Sequence, residues 1–387
     1  MPVINRVAEL HPEIVAWRHD FHRHPELLYD VHRTAARVAE LLRSFGVDEV
    51  ATGLGRTGVV AVIRGRGPGK TIGLRADMDA LPILERTGKP YASRTPGAMH
   101  ACGHDGHMAM LLGAARYLAE TRGFDGTAVL IFQPAEEGGA GARAMIEDGL
   151  MDRFGIEEVY GLHNMPGVPA GAFTIREGSI MAASDKFTIE IEGIGGHAAM
   201  PHNTVDPVVV AAHVVVALQT IVSRLVNPAR AAVVSVTALR AGEAFNVIPR
   251  TVQMTGTARS LDEAVRDLIE ERIGAVARGI AESFGARARY SYQRGYPVTV
   301  NAARPAAFAA AVARDVAGDD RVDDNTDPTM GGEDFSYMLQ ARPGAFIFLG
   351  NGASSELHSD DYDFNDEIIP VGVSYWVRLV ESASRAR

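Results

Sequence analysis

The chain has 387 residues, of which 47% are hydrophobic and 22% are charged, and its formal net charge is -10. This length exceeds one ordinary core and predicts two domains, or one large α/β domain with an insertion. An acidic balance argues against nucleic acid or a membrane surface as a partner. The N-terminal stretch lacks an apolar segment of the signal type, and no apolar run of membrane-spanning length stands out. We therefore expect a soluble, cytoplasmic protein, which its single cysteine also favours.

The first half of the sequence alternates helical and strand patterns. Apolar spacing predicts a helix over residues 5–23 and a second helix that follows Asp30 and stops at Gly46. Short β-rich runs then predict strands over residues 58–63, 71–74, 127–133 and 158–162. This alternation predicts a mostly parallel sheet with helices on its faces. The histidines at positions 19–24 lie on a charged helix end, so we interpret them as a solvated face without ligands.

Polar groups follow these strands in a way typical of a metal site. Cys102 and His104 precede a predicted helix, and the cysteine has no second thiol with which to form a disulfide. Three further candidates come after other strands, namely Glu137, His163 and His358. Five such groups exceed what one structural zinc needs, whereas two ions that share a water would use them all. In such a site the ions polarise the scissile carbonyl and lower the pKa of the water between them.

Two carboxylates near these candidates suit other roles. Glu136 is adjacent to Glu137, so the two side chains cannot point the same way, and a division between general base and ligand follows. Asp79 lies after the strand at 71–74 and is placed to orient a ligand histidine or another site residue. His100 and His107 flank the cysteine loop, and we interpret them as packing residues.

The pattern changes near Ser184, where strict alternation predicts a half-exposed antiparallel strand. The order strand, helix, two strands, helix, strand then continues to residue 294, and it is the split βαβ order of ferredoxin-like modules. We therefore predict a catalytic domain formed by residues 1–183 and 295–387, with residues 184–294 inserted as a second domain.

Several motifs together resemble the N-acyl-amino-acid amidohydrolases, the hippurate hydrolase and auxin-conjugate hydrolase branch of the di-metal aminoacylase/carboxypeptidase family. These motifs are RADMDALP, MHACGHDGH, FQPAEEGG, GLHNMPG, GGHAAMPH, NVIP, GGEDFSY and LHSDDYDFND, and they cover nearly the whole chain. The resemblance implies an α/β di-metal catalytic domain with an inserted α+β lid that mediates dimerisation or tetramerisation. It also implies two divalent ions, such as Zn, Mn, Ni or Co, and a small N-acyl amino acid as substrate.

The resemblance also implies roles for individual residues. The metal ligands it implies are Cys102, His104, Glu137, His163 and His358. Glu136 is the implied general acid/base, with Asp79 as its supporting carboxylate, and Asp77 is treated as site-lining because more distant relatives carry a histidine ligand there. In the insert, His197 is similar to a lid histidine that stabilises the oxyanion, in some members from the partner subunit. Asn246 and Arg259 resemble residues that bind the substrate carboxylate, for which the guanidinium fork is well suited.

Three other functions remain open at this point. A dipeptidase or carboxypeptidase would use the same mechanism, and the sequence does not reveal the pocket walls that would separate them. A covalent hydrolase based on Cys102 and His104 is disfavoured, because residues two apart in a glycine-containing loop rarely align for proton transfer. A non-catalytic metal-binding protein would leave Glu136 without a role.

Overall fold

The structure is a computed structural model that describes residues 3–383. The helices and strands, in chain order, are α1 (Asn5–Arg23), α2 (His32–Ser44), β1 (Glu49–Leu54), β2 (Gly58–Arg64), β3 (Thr71–Asp77), α3 (His104–Thr121), β4 (Thr127–Gln133), α4 (Gly141–Glu147), α5 (Leu150–Arg153), β5 (Glu158–Pro166), β6 (Phe173–Thr174), β7 (Gly178–Met181), β8 (Ala183–Glu192), β9 (Gly196–His197), α6 (Pro207–Thr220), β10 (Ala232–Ala241), β11 (Val247–Ile248), β12 (Thr251–Ser260), α7 (Glu263–Ser283), β13 (Arg287–Tyr296), β14 (Thr299–Asn301), α8 (Ala303–Ala317), β15 (Val322–Asp323), α9 (Phe335–Ala341), β16 (Gly344–Gly352) and α10 (Ile369–Ala383).

The chain divides into two units. The first unit comprises Met1–Gly178, Val300–Asp327 and Asp334–Arg387, and the second comprises Ser179–Thr299 and Pro328–Glu333. The second unit therefore begins five residues before Ser184, where the sequence pattern changes, and it ends after the last predicted strand. The catalytic and lid roles assigned to these regions stay predictions.

The first unit is built on an eight-stranded mixed sheet in the order β1-β2-β4-β3-β5-β16-β6-β15. Its centre, from β4 through β3 and β5 to β16, is parallel. These strands are buried on both faces, as their runs of valine, leucine and isoleucine predict. One face shares a core with α1, α3 and α10, and on the other face α4 contacts β4 and α9 contacts β5. The predicted α/β class with a mostly parallel sheet is confirmed.

The register of the central strands sets where polar side chains gather. Asp77 is paired with Gln133 at the ends of β3 and β4, and Arg75 is paired with Gly161 of β5. Asp77 and His163, each two residues further on, are therefore level with each other. The carboxyl ends of these parallel strands form the edge at which open α/β sheets collect ligands.

The second unit is a four-stranded antiparallel sheet with α6 and α7 on one face. Its strand order, β10-β12-β8-β13, is that of the ferredoxin-like arrangement, in which β8 and β10 are separated by β12. Both helices begin at an aspartate that accepts a backbone hydrogen bond, Asp206 from Val208 N at 2.9 Å and Asp262 from Val265 N at 3.0 Å.

The expectation that no apolar run reaches membrane-spanning length was wrong. Among the described residues, one helical stretch, Pro207–Leu225, is long and apolar enough to cross a membrane, judged by length and composition alone, and its mean hydropathy is 1.9. One such helix is weak evidence for a membrane span. Val210, Val214 and Leu218 are buried against the sheet, whereas Val209 and Val216 are exposed. The helix therefore has one apolar face in the core of its unit and a second apolar face exposed.

Candidate metal centre

Asp79 holds the paired glutamates through their backbone. One oxygen of its buried carboxylate accepts a hydrogen bond from Glu136 N at 2.8 Å, and the other accepts one from Glu137 N at 3.0 Å. Its main-chain carbonyl lies 2.7 Å from Nδ1 of His104 and accepts a hydrogen bond from it, which leaves Nε2 of that ring available. A single aspartate thus orients three of the predicted site residues.

Left-handed backbone positions present two of these residues. Ala135, which precedes the glutamates, has a φ of 55° and is fully buried, and its N–H donates to Leu28 O at 3.1 Å. His358 has a φ of 67°, and its N–H donates to Ala101 O at 2.8 Å, beside Cys102. Non-glycine residues adopt this conformation at an energetic cost, so the surrounding contacts must hold them in it.

The five predicted ligands come together in the first unit. Ligand atoms of Cys102, Glu137 and His358 lie within 4.8 Å of one another, and so do those of His104, Glu136 and Glu137. His163 joins them through Nε2, which lies 3.4 Å from Cys102 Sγ. The structure therefore gathers, in one place, groups from the loop before α3, from the loop after β4, from β5 and from the segment after β16.

Two locations differ from the sequence-based expectation. His104 was expected in the loop ahead of a helix, but it is the first residue of α3, after Gly103 with a φ of 90°. His163 was expected just beyond a strand end, but β5 continues to Pro166 and His163 lies within it. In both cases the backbone is more regular than the sequence suggested, which fixes the direction of the ring.

Unpartnered buried atoms show that a cation fits this cluster. His104 Nε2 and Glu137 Oε1 are buried without a hydrogen-bond partner, and they lie 3.9 Å apart. Burial, and then the negative charges of Glu137 and Glu136, raise the pKa of the Cys102 thiol. Burial lowers the pKa of His163, so its ring is neutral and able to coordinate. A set of sulfur, nitrogen and oxygen donors suits a borderline divalent metal, which would favour the thiolate.

Two buried residues that we interpreted as lining or packing belong to the same cluster. Asp77 Oδ1 lies 2.7 Å from His107 Nδ1, and Asp77 Oδ2 lies 3.5 Å from His104 Nε2. Ligand atoms of Asp77, His104, His107 and His163 lie within 4.8 Å of one another. The packing interpretation of His107 was therefore incomplete. The spacing of His104 and His107, three residues apart on one helix, was the available signal.

A buried arginine also supports Asp77. Arg75 donates to Asp77 Oδ2 at 2.7 Å and to Gln133 Oε1 at 2.8 Å, and it pairs with Asp334 at 3.1 Å. Burial would raise the pKa of Asp77, but His104, Arg75 and His107 outweigh it and lower that pKa. Asp77 is thus an ionised carboxylate facing the candidate metal position.

The interpretation of residues 19–24 as a solvated face was wrong for one of them. His22 is 1% exposed, and its Nδ1 lies 2.8 Å from Asp105 Oδ2. It faces the core because it continues the apolar stripe of α1 that includes Phe21. His100 is also buried, as the packing interpretation implied, and neither of its ring nitrogens has a hydrogen-bond partner.

The predicted substrate-binding residues lie in the second unit. His197 of β9 is paired with Val247 of β11, and Ala198 N donates to Asn246 O at 3.1 Å, so His197 and Asn246 are neighbours despite their distance in sequence. Both are exposed. Arg259 lies near the end of β12 and donates to Ala258 O at 3.1 Å. Their roles stay predictions.

Comparison with known proteins identifies the family. Hippurate hydrolase of Campylobacter jejuni is 43% identical over 98% of both chains. Thermostable carboxypeptidase 1 of Saccharolobus solfataricus is 39% identical over 95% of this chain and 94% of its own. The crystal structure of a dinuclear metal-binding peptidase from Bacillus subtilis superposes with a TM-score of 0.86 at 33% identity, and covers 98% of this chain and 100% of its own. The sequence model of the family described as "Peptidase family M20/M25/M40" matches residues 73–382. The relationship inferred from the motifs is thus confirmed, and this chain belongs to peptidase family M20/M25/M40.

Proposed function

We propose that this protein hydrolyses the amide bond of N-acyl or N-aroyl amino acids, such as hippurate, to a carboxylate and a free amino acid. The observation that carries this proposal is the way Asp79 holds Glu136 and Glu137 side by side through both backbone N–H groups. Glu137 then faces His358 and His104, and we assign proton transfer to Glu136. The similarity to hippurate hydrolase, over nearly the whole chain, supports the choice of substrate.

Glu136 acts as the general base and general acid. It is 7% exposed, so its carboxylate works in an environment where few waters compete. It accepts a proton from the attacking water and returns a proton to the leaving amine. The adjacent glutamate cannot substitute for it, because that side chain is committed to the metal position.

The ligands we propose for two divalent ions are Cys102, His104, Glu137, His163 and His358. When bound, the ions supply Lewis acidity toward the scissile carbonyl and lower the pKa of water. Mixed sulfur, nitrogen and oxygen sites accept several metals, so Zn, Mn, Co and Ni are all candidates.

We assign substrate recognition to the second unit. His197 stabilises the negative charge that develops on the carbonyl oxygen, while Asn246 and Arg259 bind the carboxylate of the amino acid. The backbone hydrogen bond from Ala198 N to Asn246 O, next to the pairing of β9 with β11, makes His197 and Asn246 neighbours and supports a joint role.

We also propose a homodimer, or a tetramer built from it, formed through the second unit. Strand β10 lies at the edge of its sheet, and α6 exposes Val209 at 46% and Val216 at 70%. An unpaired strand edge beside an apolar helix face favours pairing with a second copy.

A second candidate function is a carboxypeptidase or dipeptidase of the same mechanism. The similarity to thermostable carboxypeptidase 1 favours it. It differs in the substrate, since a dipeptide presents a free amine where an acyl-amino acid presents an aryl or alkyl group.

The experiment is a hydrolysis screen with the metal-loaded enzyme. Benzoyl-, acetyl- and indoleacetyl-amino acids are compared with dipeptides of the same C-terminal residue, and kcat/KM is measured for each. We expect the acyl-amino acids to be preferred, and preference for the dipeptides would establish the second candidate instead. Chelation should abolish turnover and added Mn, Zn, Co or Ni should restore it, whereas chelator-insensitive turnover would contradict both.

A further inference from the structure

Helix α1 places a completely buried arginine beside the candidate metal centre. Arg18 is 0% exposed, and its guanidinium reaches three carboxylates: Asp105 at 3.1 Å, Asp363 at 3.4 Å and Asp366 at 2.7 Å. Its planar face lies 4.6 Å from the ring centre of Tyr91. A side chain with this many specific contacts is held in one conformation.

The carboxylates belong to the two chain segments that carry most of the proposed ligands. Asp105 follows His104 directly, in the first turn of α3. Asp363 and Asp366 belong to the segment that starts at His358. Arg18 therefore joins two segments that are far apart in sequence, and it touches no proposed ligand itself.

His22, one helical turn after Arg18, strengthens the same junction. It shares Asp105 Oδ2 with Arg18, and its other nitrogen lies 3.3 Å from Glu85 Oε1. Burial opposes its protonation, but Asp105 and Glu85 raise the pKa of His22 to about 9. Asp105 is thus a buried carboxylate with two cationic partners on α1.

The two segments also meet near the ligands. The N–H of His358 donates to Ala101 O at 2.8 Å, next to Cys102, and the ring of Phe364 packs against Gly106, directly after Asp105. These contacts hold the segments together close to the ligands. The contacts of Arg18 fix the parts of both segments that lie next to α1.

From this geometry we infer that Arg18, supported by His22, is a positioning residue that holds the segments 102–105 and 358–366 at the separation that metal binding requires. The inference rests on the proposed function for its ligands, and it extends that function to helix α1. Groups that orient ligands from outside typically change metal affinity by about 10- to 100-fold when they are removed. We expect the same range here.

The test measures metal affinity rather than turnover alone. Metal-free wild type, Arg18→Met and Arg18→Lys are titrated with Mn and with Zn against a competing chelator, at a temperature well below unfolding. We expect Arg18→Met to bind metal about 10- to 100-fold more weakly, with Arg18→Lys between it and wild type because lysine keeps the charge but not the fork. At saturating metal, kcat and KM should return close to the wild-type values, because the ions then hold the segments themselves.

The matched control is Arg33→Met. Arg33 also binds a carboxylate of α1, Asp20 at 2.7 Å, but it contacts neither ligand-bearing segment in the part of the chain that the structure describes. The metal affinity of the Arg33→Met variant should equal that of wild type. Wild-type metal affinity in Arg18→Met would overturn the inference, even if its melting temperature falls, because a merely structural residue lowers stability alone.

A milder variant covers the case in which Arg18→Met does not fold. Asp363→Asn removes the negative charge of one partner of Arg18 at a partly exposed position and leaves the pair with Asp105 intact. It should weaken metal binding by a few-fold, and unchanged affinity would also overturn the inference. If metal affinity shifts as expected but loaded wild type hydrolyses no acyl-amino acid, the positioning role stands and the proposed function fails.

Discussion

The two units treat their charged residues differently. At the carboxyl ends of the parallel strands in the first unit, Arg75, Asp77 and Asp79 are buried, and each has defined hydrogen-bond partners within the protein. In the second unit, His197 of β9 and Asn246, which directly precedes β11, are exposed, while the buried pair Arg266 and Asp185 joins α7 to the sheet. Folding therefore fixes the polar groups near the candidate metal centre of the first unit in advance. In the second unit the buried charges stabilise the fold, and His197 and Asn246 lie on the surface.

The largest effects on activity are expected from substitutions in the site of the first unit that leave the fold intact. Glu136→Gln should keep its metal and lose about 10²- to 10⁴-fold in kcat, because a neutral amide cannot accept the proton. Cys102→Ala should lose metal as well as activity. Metal content by elemental analysis, together with kcat on benzoylglycine, checks both. Full turnover by Glu136→Gln would contradict the mechanism.

The next largest effect is expected in the second unit and should concern stability only. Arg266→Met leaves the buried Asp185 with hydrogen bonds from Tyr292 at 2.7 Å and Gly295 N at 2.9 Å, but without the guanidinium that binds both of its oxygens. The free energy of unfolding should fall by about 3–5 kcal/mol, as measured by urea denaturation, while metal affinity stays unchanged.

Arg289→Met is the control for that variant. Arg289 pairs with Glu190 at 2.9 Å, in the same sheet but at the surface, so its removal should cost at most about 1 kcal/mol. Equal effects for the two variants would show that burial of the pair makes no difference.

A smaller effect should depend on pH through His22. Its pKa is about 9 in the folded protein, against about 6.5 in an unfolded chain. Because the folded-state pKa is the higher one, this stabilisation is complete below pH 6.5 and is lost as the pH rises through 9. Its full size is up to about 3 kcal/mol. Unfolding free energies between pH 6 and pH 10 should show this loss in wild type and not in His22→Gln.

The smallest effect on folding is expected at the exposed face of α6. Val216→Lys should change the free energy of unfolding by less than about 0.5 kcal/mol, because Val216 is 70% exposed. The same change should convert a dimer into a monomer, as measured by light scattering. Ser283→Lys, at the end of α7, should leave the dimer intact. A dimer that survives Val216→Lys would place the interface elsewhere.

The sequence alone determined the main helices and strands and the order in which they follow one another. Apolar periodicity predicted α1 at the bounds that the structure has, since it reports which side of an element faces a core. The placement of polar residues after buried strands predicted that Cys102 and Glu137 would meet. Parallel strands present their carboxyl ends at one edge, so that prediction needed only the topology.

Only the tertiary structure decided which polar groups share a partner. Arg18 meets Asp105 and Asp363 across 87 and 345 residues of chain, and no local pattern encodes such a pairing. The partners of His22 and His107 were missed for the same reason, because the sequence shows a histidine on a helix without showing which distant group it contacts. Burial makes an unpaired charge costly, so the fold selects these partners only when distant segments have come together.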